Sequence, residues 1–110
     1  MSGSSLRPVG VEELRRLVAR LSVPSPVGSD AERIDRIRAL EELKNAAAAA
    51  QARESVAFDA SQREGQRLAG VPEGRVGRGV ADQVALARRV SPHQGSRLLG
   101  LAKSLVHDLP

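Results

Sequence analysis

The side chains of this sequence that could do chemistry are two imidazoles, a scatter of carboxylates and many guanidinium groups. Their spacing decides which chemistry is open. His93 and His107 are the only imidazoles. Fourteen residues apart on one predicted helix, they stand roughly 20 Å from each other at helical rise, too far to share a metal. Glu12-Glu13 and Glu41-Glu42 are adjacent carboxylates, and neighbours on a helix point in different directions, so neither is an acid/base pair. Asp59, Ser61 and Glu64 are expected to line one side of a helix, but no His stands with them to make a triad. The absence of Cys removes thiolate nucleophiles, disulfides and Cys-containing zinc sites. No acids, bases and ligands converge, so the chain as given is expected not to be an enzyme. It is read as having no catalytic residue, no metal site, no cofactor and no evident small-molecule substrate.

The glycine-rich stretch Gly70 to Gly79 lacks the Gly-Lys-Ser/Thr ending of a P-loop, and no strand precedes it as a dinucleotide fingerprint requires. It reads as a loop whose Arg75 and Arg78 can meet a nucleic-acid backbone. A sharper pattern runs from Leu86 to Leu98 (LARRVSPHQGSRL). Two helices joined by a tight turn, the second opening with Ser-Pro and carrying Ser-Arg, resemble a helix-turn-helix. The usual turn is about two residues longer, and Gly95 stands where a β-branched core residue is normally found. The candidate nucleic-acid-binding residues are therefore Arg75, Arg78, Arg88, Arg89, His93 and Arg97. For His93, in the first turn of its helix, capping or plain exposure competes with phosphate contact.

Positioning these residues falls to helices. The organising stretch runs from Ser29 to about Leu68, with no Pro, one Gly (Gly65) and a density of Ala, Leu, Glu, Gln and Arg, which lose little on entering a helix. Ser29 and Glu32 have the spacing of a capping box. At about 1.5 Å per residue this helix would be roughly 60 Å long. Ile34, Ile37, Leu40, Leu43, Ala47, Ala50, Phe58 and Leu68 are read as one apolar stripe. The run Ala46 to Ala50 is read as a narrow waist where a second helix approaches. Before it, Val9 to Leu21 forms a short amphipathic helix, preceded by a polar lead (Met1 to Ser5) and followed by a Pro/Gly linker, Ser22 to Gly28. After it come a helix over Val80 to Val90 and a last helix opened by Ser91 as N-cap, Pro92 and Gln94. That helix takes its apolar face from Leu98, Leu101, Ala102, Leu105, Val106 and Leu109. No strand-like alternation occurs. The fold class is all-α: short amphipathic helix, linker, one long helix, then a helix-turn-helix-like pair. The expected divisions are residues 1–28 and a helical module over 29–110.

Composition bounds the rest. One domain is the ceiling for 110 residues, and with one Phe and no Trp or Tyr the core must be built from Ala, Val, Leu and Ile. Seventeen Lys and Arg, all but two of them Arg, exceed thirteen Asp and Glu for a net charge of +4. That permits nucleic-acid contact, and equally suits a solvated surface. No apolar run is long enough to span a membrane and no signal peptide opens the chain, so a cytoplasmic location is expected.

The segments LEELKNAAAAAQARESVAFDASQR (Leu40 to Arg63) and GVADQVALARRVSPHQGSRLLGLAKSL (Gly79 to Leu105), with the ending Asp108-Leu109-Pro110, together resemble the domain of unknown function 222, or 13E12 repeat family. The Ser-Pro-x-x-Gly and Leu-Pro landmarks carry the match, which covers about Asp30 to Pro110. The resemblance implies an α-helical module that stands N-terminal to an HNH endonuclease domain, cytoplasmic and DNA-associated. In that family the chain continues beyond the Leu-Pro landmark, so this sequence is expected to be a truncated piece of the module, and its partners to include DNA, the missing C-terminal helices or a second copy. The divalent metal belongs to the nuclease domain, whose His and Asn residues have no counterpart here. Two further readings follow from the residues themselves: a helix-turn-helix regulator using Ala81 to Leu105, and a pure helix-mediated protein-interaction segment.

Overall fold

The computed structural model describes residues 7–25 and 28–108, among which there are four α-helices, one 3-10 turn and no strand. The helices are α1 (Val11–Leu21), α2 (Asp30–Leu68), α3 (Val80–Arg88) and α4 (Pro92–Asp108), with the 3-10 turn at Glu73–Arg75. The all-α class and the element order agree with the sequence reading. The polar lead Met1 to Ser5, Pro26 of the linker, Leu109 of the last apolar face and the Leu109-Pro110 landmark lie outside the described residues. The chain divides into two compact units, Met1–Ile37 and Arg38–Pro110.

In the first unit α1 starts two residues later than the apolar spacing suggests. Gly10 is its N-cap in extended geometry, and the Gly10 amide donates to Glu13 Oε1 at 3.2 Å. Glu12 and Glu13 occupy the positive end of the helix dipole and Arg20 the negative end. The start of α2 is a full capping box: the Ser29 amide donates to Glu32 Oε1 at 3.3 Å, and the Glu32 amide donates to Ser29 Oγ at 3.2 Å.

In the second unit the core is small and lies mostly between α3 and α4. Val80, Val84 and Ala85 of α3 and Leu99 and Ala102 of α4 are buried, with Val76 from the preceding loop. α2 joins this pair through polar side chains, and here the structure corrects the sequence reading. At about 100° per residue, Leu40, Leu43, Ala47, Ala50 and Phe58 share one arc. Its buried residues, Ser55 and Asp59, sit with half-buried Gln62 and Gln66 on an arc roughly 110° away. Ile34, Ile37, Leu40 and Leu68 remain exposed. Ala46 to Ala49 are also exposed, so among the described residues of this unit no second helix packs on that part of the alanine run. What selects the packing face is ion pairing and amide hydrogen bonding to α4 and the loop, which the apolar stripe does not record.

Two helices end in the same motif with different residues. At the end of α2 the Gly70 amide donates to the Arg67 carbonyl and the Val71 amide to the Gln66 carbonyl, with Gly70 at φ +85°. At the end of α3 the Arg89 amide donates to the Leu86 carbonyl and the Val90 amide to the Ala85 carbonyl, with Arg89 at φ +59°. This is why α3 stops at Arg88 rather than Val90. Both are Schellman closures, and glycine suits the left-handed position better than any residue with a Cβ. Arg89→Gly is therefore expected to stabilise the chain by about 0.5–1 kcal/mol, raising the thermal midpoint by a few degrees. Circular dichroism melts of both chains check this, and an unchanged midpoint would mean that the Arg89 side chain offsets its backbone strain.

Candidate nucleic-acid interface

The α3–α4 connection is short and closed by local hydrogen bonds. Ser91 caps α4, accepting the Gln94 amide on Oγ at 3.1 Å and the Gly95 amide on its carbonyl at 2.8 Å. Pro92 takes the first helical position, where no amide is needed. Between α3 and α4 stand only Arg89, Val90 and Ser91, three residues against the three or four of a helix-turn-helix, so the turn is not two residues short as the spacing suggests. Gly95, which departs from the usual motif, is buried against α3. A Cβ there would come within 2.9 Å of the Ala81 carbonyl oxygen and 3.0 Å of Ala85 Cα. A β-branched residue at this position would hold the two helices apart. Glycine lets their backbones approach.

Around this turn the structure gathers four of the six candidate residues. Arg88 is half-buried at the end of α3, Arg89 is exposed in the turn, and His93 and Arg97 are exposed one helical turn apart on one side of α4. From Gln83 to His107, twenty-five residues, the sequence has four Arg and Lys and no Asp or Glu. Among the described residues none of Arg88, Arg89, His93 and Arg97 makes an ion pair. Arg75 and Arg78 do not join them. Both are exposed, but they precede α3, and its nine residues set about 13 Å of helical rise between the two groups. Their loop is also less open than the glycines suggest. Val76 anchors it in the core, the Gly77 amide donates to Gln66 Oε1 at 2.6 Å, and Arg67 pairs with Glu73 at 3.2 Å.

Four residues that matter to this geometry, Asp59, Arg63, Lys103 and Gln66, escaped the sequence reading in their actual roles. Asp59 is an ion-pair centre: Arg63 Nε donates to both its oxygens at 3.1 Å and Lys103 Nζ approaches Oδ2 at 2.9 Å. Burial pushes the Asp59 carboxyl up, but hydrogen bonds from Lys103 and Arg63, then their charges, outweigh it and hold it below the usual carboxylate range. Ser61 and Glu64 are exposed, so the three residues do not share a face. The Arg63 guanidinium packs over Gly77, which sits at φ +92° and where a Cβ would collide with it. Gln66 completes the latch, with Nε2 donating to the Arg78 carbonyl at 3.5 Å.

A cleft of about 400 Å³ opens beside this centre, lined by Gln51, Glu54, Ser55, Phe58, Gln83, Val84, Ala87 and Arg88. Its lining carries both Glu54 and Arg88, so it is not a basic surface. Among the described residues no three His, Asp or Glu side chains come together as a metal site, and no helix is long and apolar enough to cross a membrane. No family model matches the chain, and no curated protein or solved structure matches it either.

Proposed function

We propose that this chain is a non-catalytic helical module of an HNH-endonuclease-like protein, related to the domain of unknown function 222, and that it associates with DNA in the cytoplasm through the α3–α4 turn. The observation that carries the DNA part is the grouping of Arg88, Arg89, His93 and Arg97 around one tight turn, on a stretch without acids and without ion pairs of their own. Guanidinium groups on such a surface fit phosphate oxygens bidentately. The family relation rests on the sequence resemblance alone.

Salt-dependent titration of a labelled duplex with the full chain tests this. With three arginines contacting phosphates, log Kd should rise by roughly 2.7 for each tenfold increase in salt. Arg89→Ala or Arg97→Ala should each weaken binding and lower that slope by about 1. No measurable affinity at low salt removes the DNA reading. The runner-up, a helix-turn-helix regulator, is favoured by the exposure of His93, Gln94 and Arg97 on the first two turns of α4, where such motifs read bases. It requires sequence selectivity that Arg97→Ala abolishes. Equal affinity for scrambled duplexes leaves phosphate contact as the whole of the interaction.

A further inference from the structure

We infer that His93 makes the grip of the α3–α4 turn on DNA depend on pH: its imidazole takes up a proton as phosphate oxygens settle on the turn, so binding tightens as the medium becomes acid. This rests on the turn being the DNA-contacting surface. Three of its four basic residues, Arg88, Arg89 and Arg97, are guanidinium groups, whose charge is constant. An imidazole gains its charge between about pH 8 and 5. His93 is therefore the one member of the group that can change the charge of the surface in that range.

The fold makes no other use of this imidazole. Capping of α4 falls to Ser91, whose Oγ accepts the Gln94 amide at 3.1 Å. Among the described residues the His93 side chain makes no hydrogen bond and no ion pair. It is exposed, one helical turn from Arg97. Helical side chains lean toward the helix N-terminus, which here is the turn that holds Arg89. The elements packed on α4 bring no carboxylate into ion-pair range of it. On α3, Arg88 closes the last turn and Asp82 of the first turn makes no ion pair with His93. On α2, Asp59 is taken by Arg63 and by Lys103 of α4, and Glu54 lines the cleft with Arg88 without pairing to His93. In the loop, Glu73 is held by Arg67. An anion for His93 must come from outside, and phosphate is the anion that the surrounding guanidinium groups collect.

A phosphate oxygen beside an imidazole favours its charged form, so binding and protonation support each other. By linkage, affinity rises as the pH falls and levels off once the imidazole is charged in the free chain as well. Each phosphate contact adds about 0.9 to the salt slope, so a fourth contact raises the slope of log Kd on log salt from roughly 2.7 to roughly 3.6. At about 50 mM salt that contact is worth about tenfold in affinity.

Titration of a labelled duplex with the full chain at about pH 5.5 and about pH 7.5, across a salt series, reads both quantities. Circular dichroism at each pH controls for folding. The parent should bind about tenfold tighter in acid, with the steeper slope. His93→Gln should bind at both pH values as the parent does at the higher one, and His93→Arg as the parent does at the lower one. His107→Gln, roughly 20 Å along α4, should keep the response of the parent. Binding by the parent that depends on salt but not on pH overturns the proposal and leaves the DNA reading intact. A pH response retained by His93→Gln, or lost in His107→Gln, also overturns it. No affinity at either pH removes the DNA reading itself, and the role of His93 with it.

Discussion

Gly95→Ala is expected to destabilise this chain by about 1–3 kcal/mol, while Gly100→Ala on the same helix is expected to stabilise it by about 0.5–1 kcal/mol. In a helix interior alanine is normally the better residue, because glycine loses more backbone freedom on folding. At Gly100 nothing lies within 4 Å of the added methyl, so only that gain remains. At Gly95 the methyl meets Ala85 and the backbone of α3 at Ala81. Backbone cannot rotate out of the way as a flexible side chain can, so α3 and α4 must separate. Separation loosens the buried Val84, Ala85 and Leu99, which are half of a very small apolar core. For a chain of this size each kcal/mol moves the thermal midpoint by about 4–8 °C. Melts of the two variants beside the parent should therefore shift in opposite directions, and a rise for Gly95→Ala would mean the α3–α4 contact is looser than its geometry implies.

That contact also marks the limit of what could be seen in the sequence. The elements were legible because their ends carry local chemistry: Ser29 with Glu32, Ser91 with Pro92, Gly70 after Leu68. Each is a bond or a backbone preference between near neighbours, and near neighbours are what a sequence displays. Gly95 looked like a defect in a DNA-binding motif. Small residues facing one another, Ala81 and Ala85 four apart on α3 with Gly95 opposite, are the signal that would have found the close approach. The packing face of α2 was less accessible. Most of its apolar residues stay exposed or only half-buried among the described residues, while the buried arc carries a carboxylate and two amides. Nothing local pairs Asp59 with Lys103, forty-four residues on. The basic turn was legible as Arg88, Arg89, His93 and Arg97 close in sequence. Arg75 and Arg78 were grouped with them by charge alone, and the length of α3 keeps them apart.

Asp59→Ala is the other change with a large expected effect. The Asp59 side chain is 7% exposed, while Arg63 and Lys103 keep about a third of their surface in water. Removing one member of a fully buried pair costs about 3–5 kcal/mol, and the partial exposure of the two cations lowers this toward about 2–3 kcal/mol. The loss is structural in a specific way: Lys103 of α4 and Arg63 of α2 would be left as like charges facing each other, so the hold of α4 on α2 is the first thing to go. Acid should produce the same release in the parent chain. The folded-state carboxyl is held below the ordinary range, so its contribution is complete above about pH 5, where the unfolded chain is ionised too. It is lost as the pH falls through the folded value, because the unfolded chain takes up the proton first. Urea unfolding at pH 7 and at steps between about pH 4 and 2 measures it. The parent should lose stability across that window relative to Asp59→Asn, and the gap between the two chains should narrow steadily toward the acid end. A gap that stays constant with pH would show that Asp59 holds α2 to α4 by shape and not by charge.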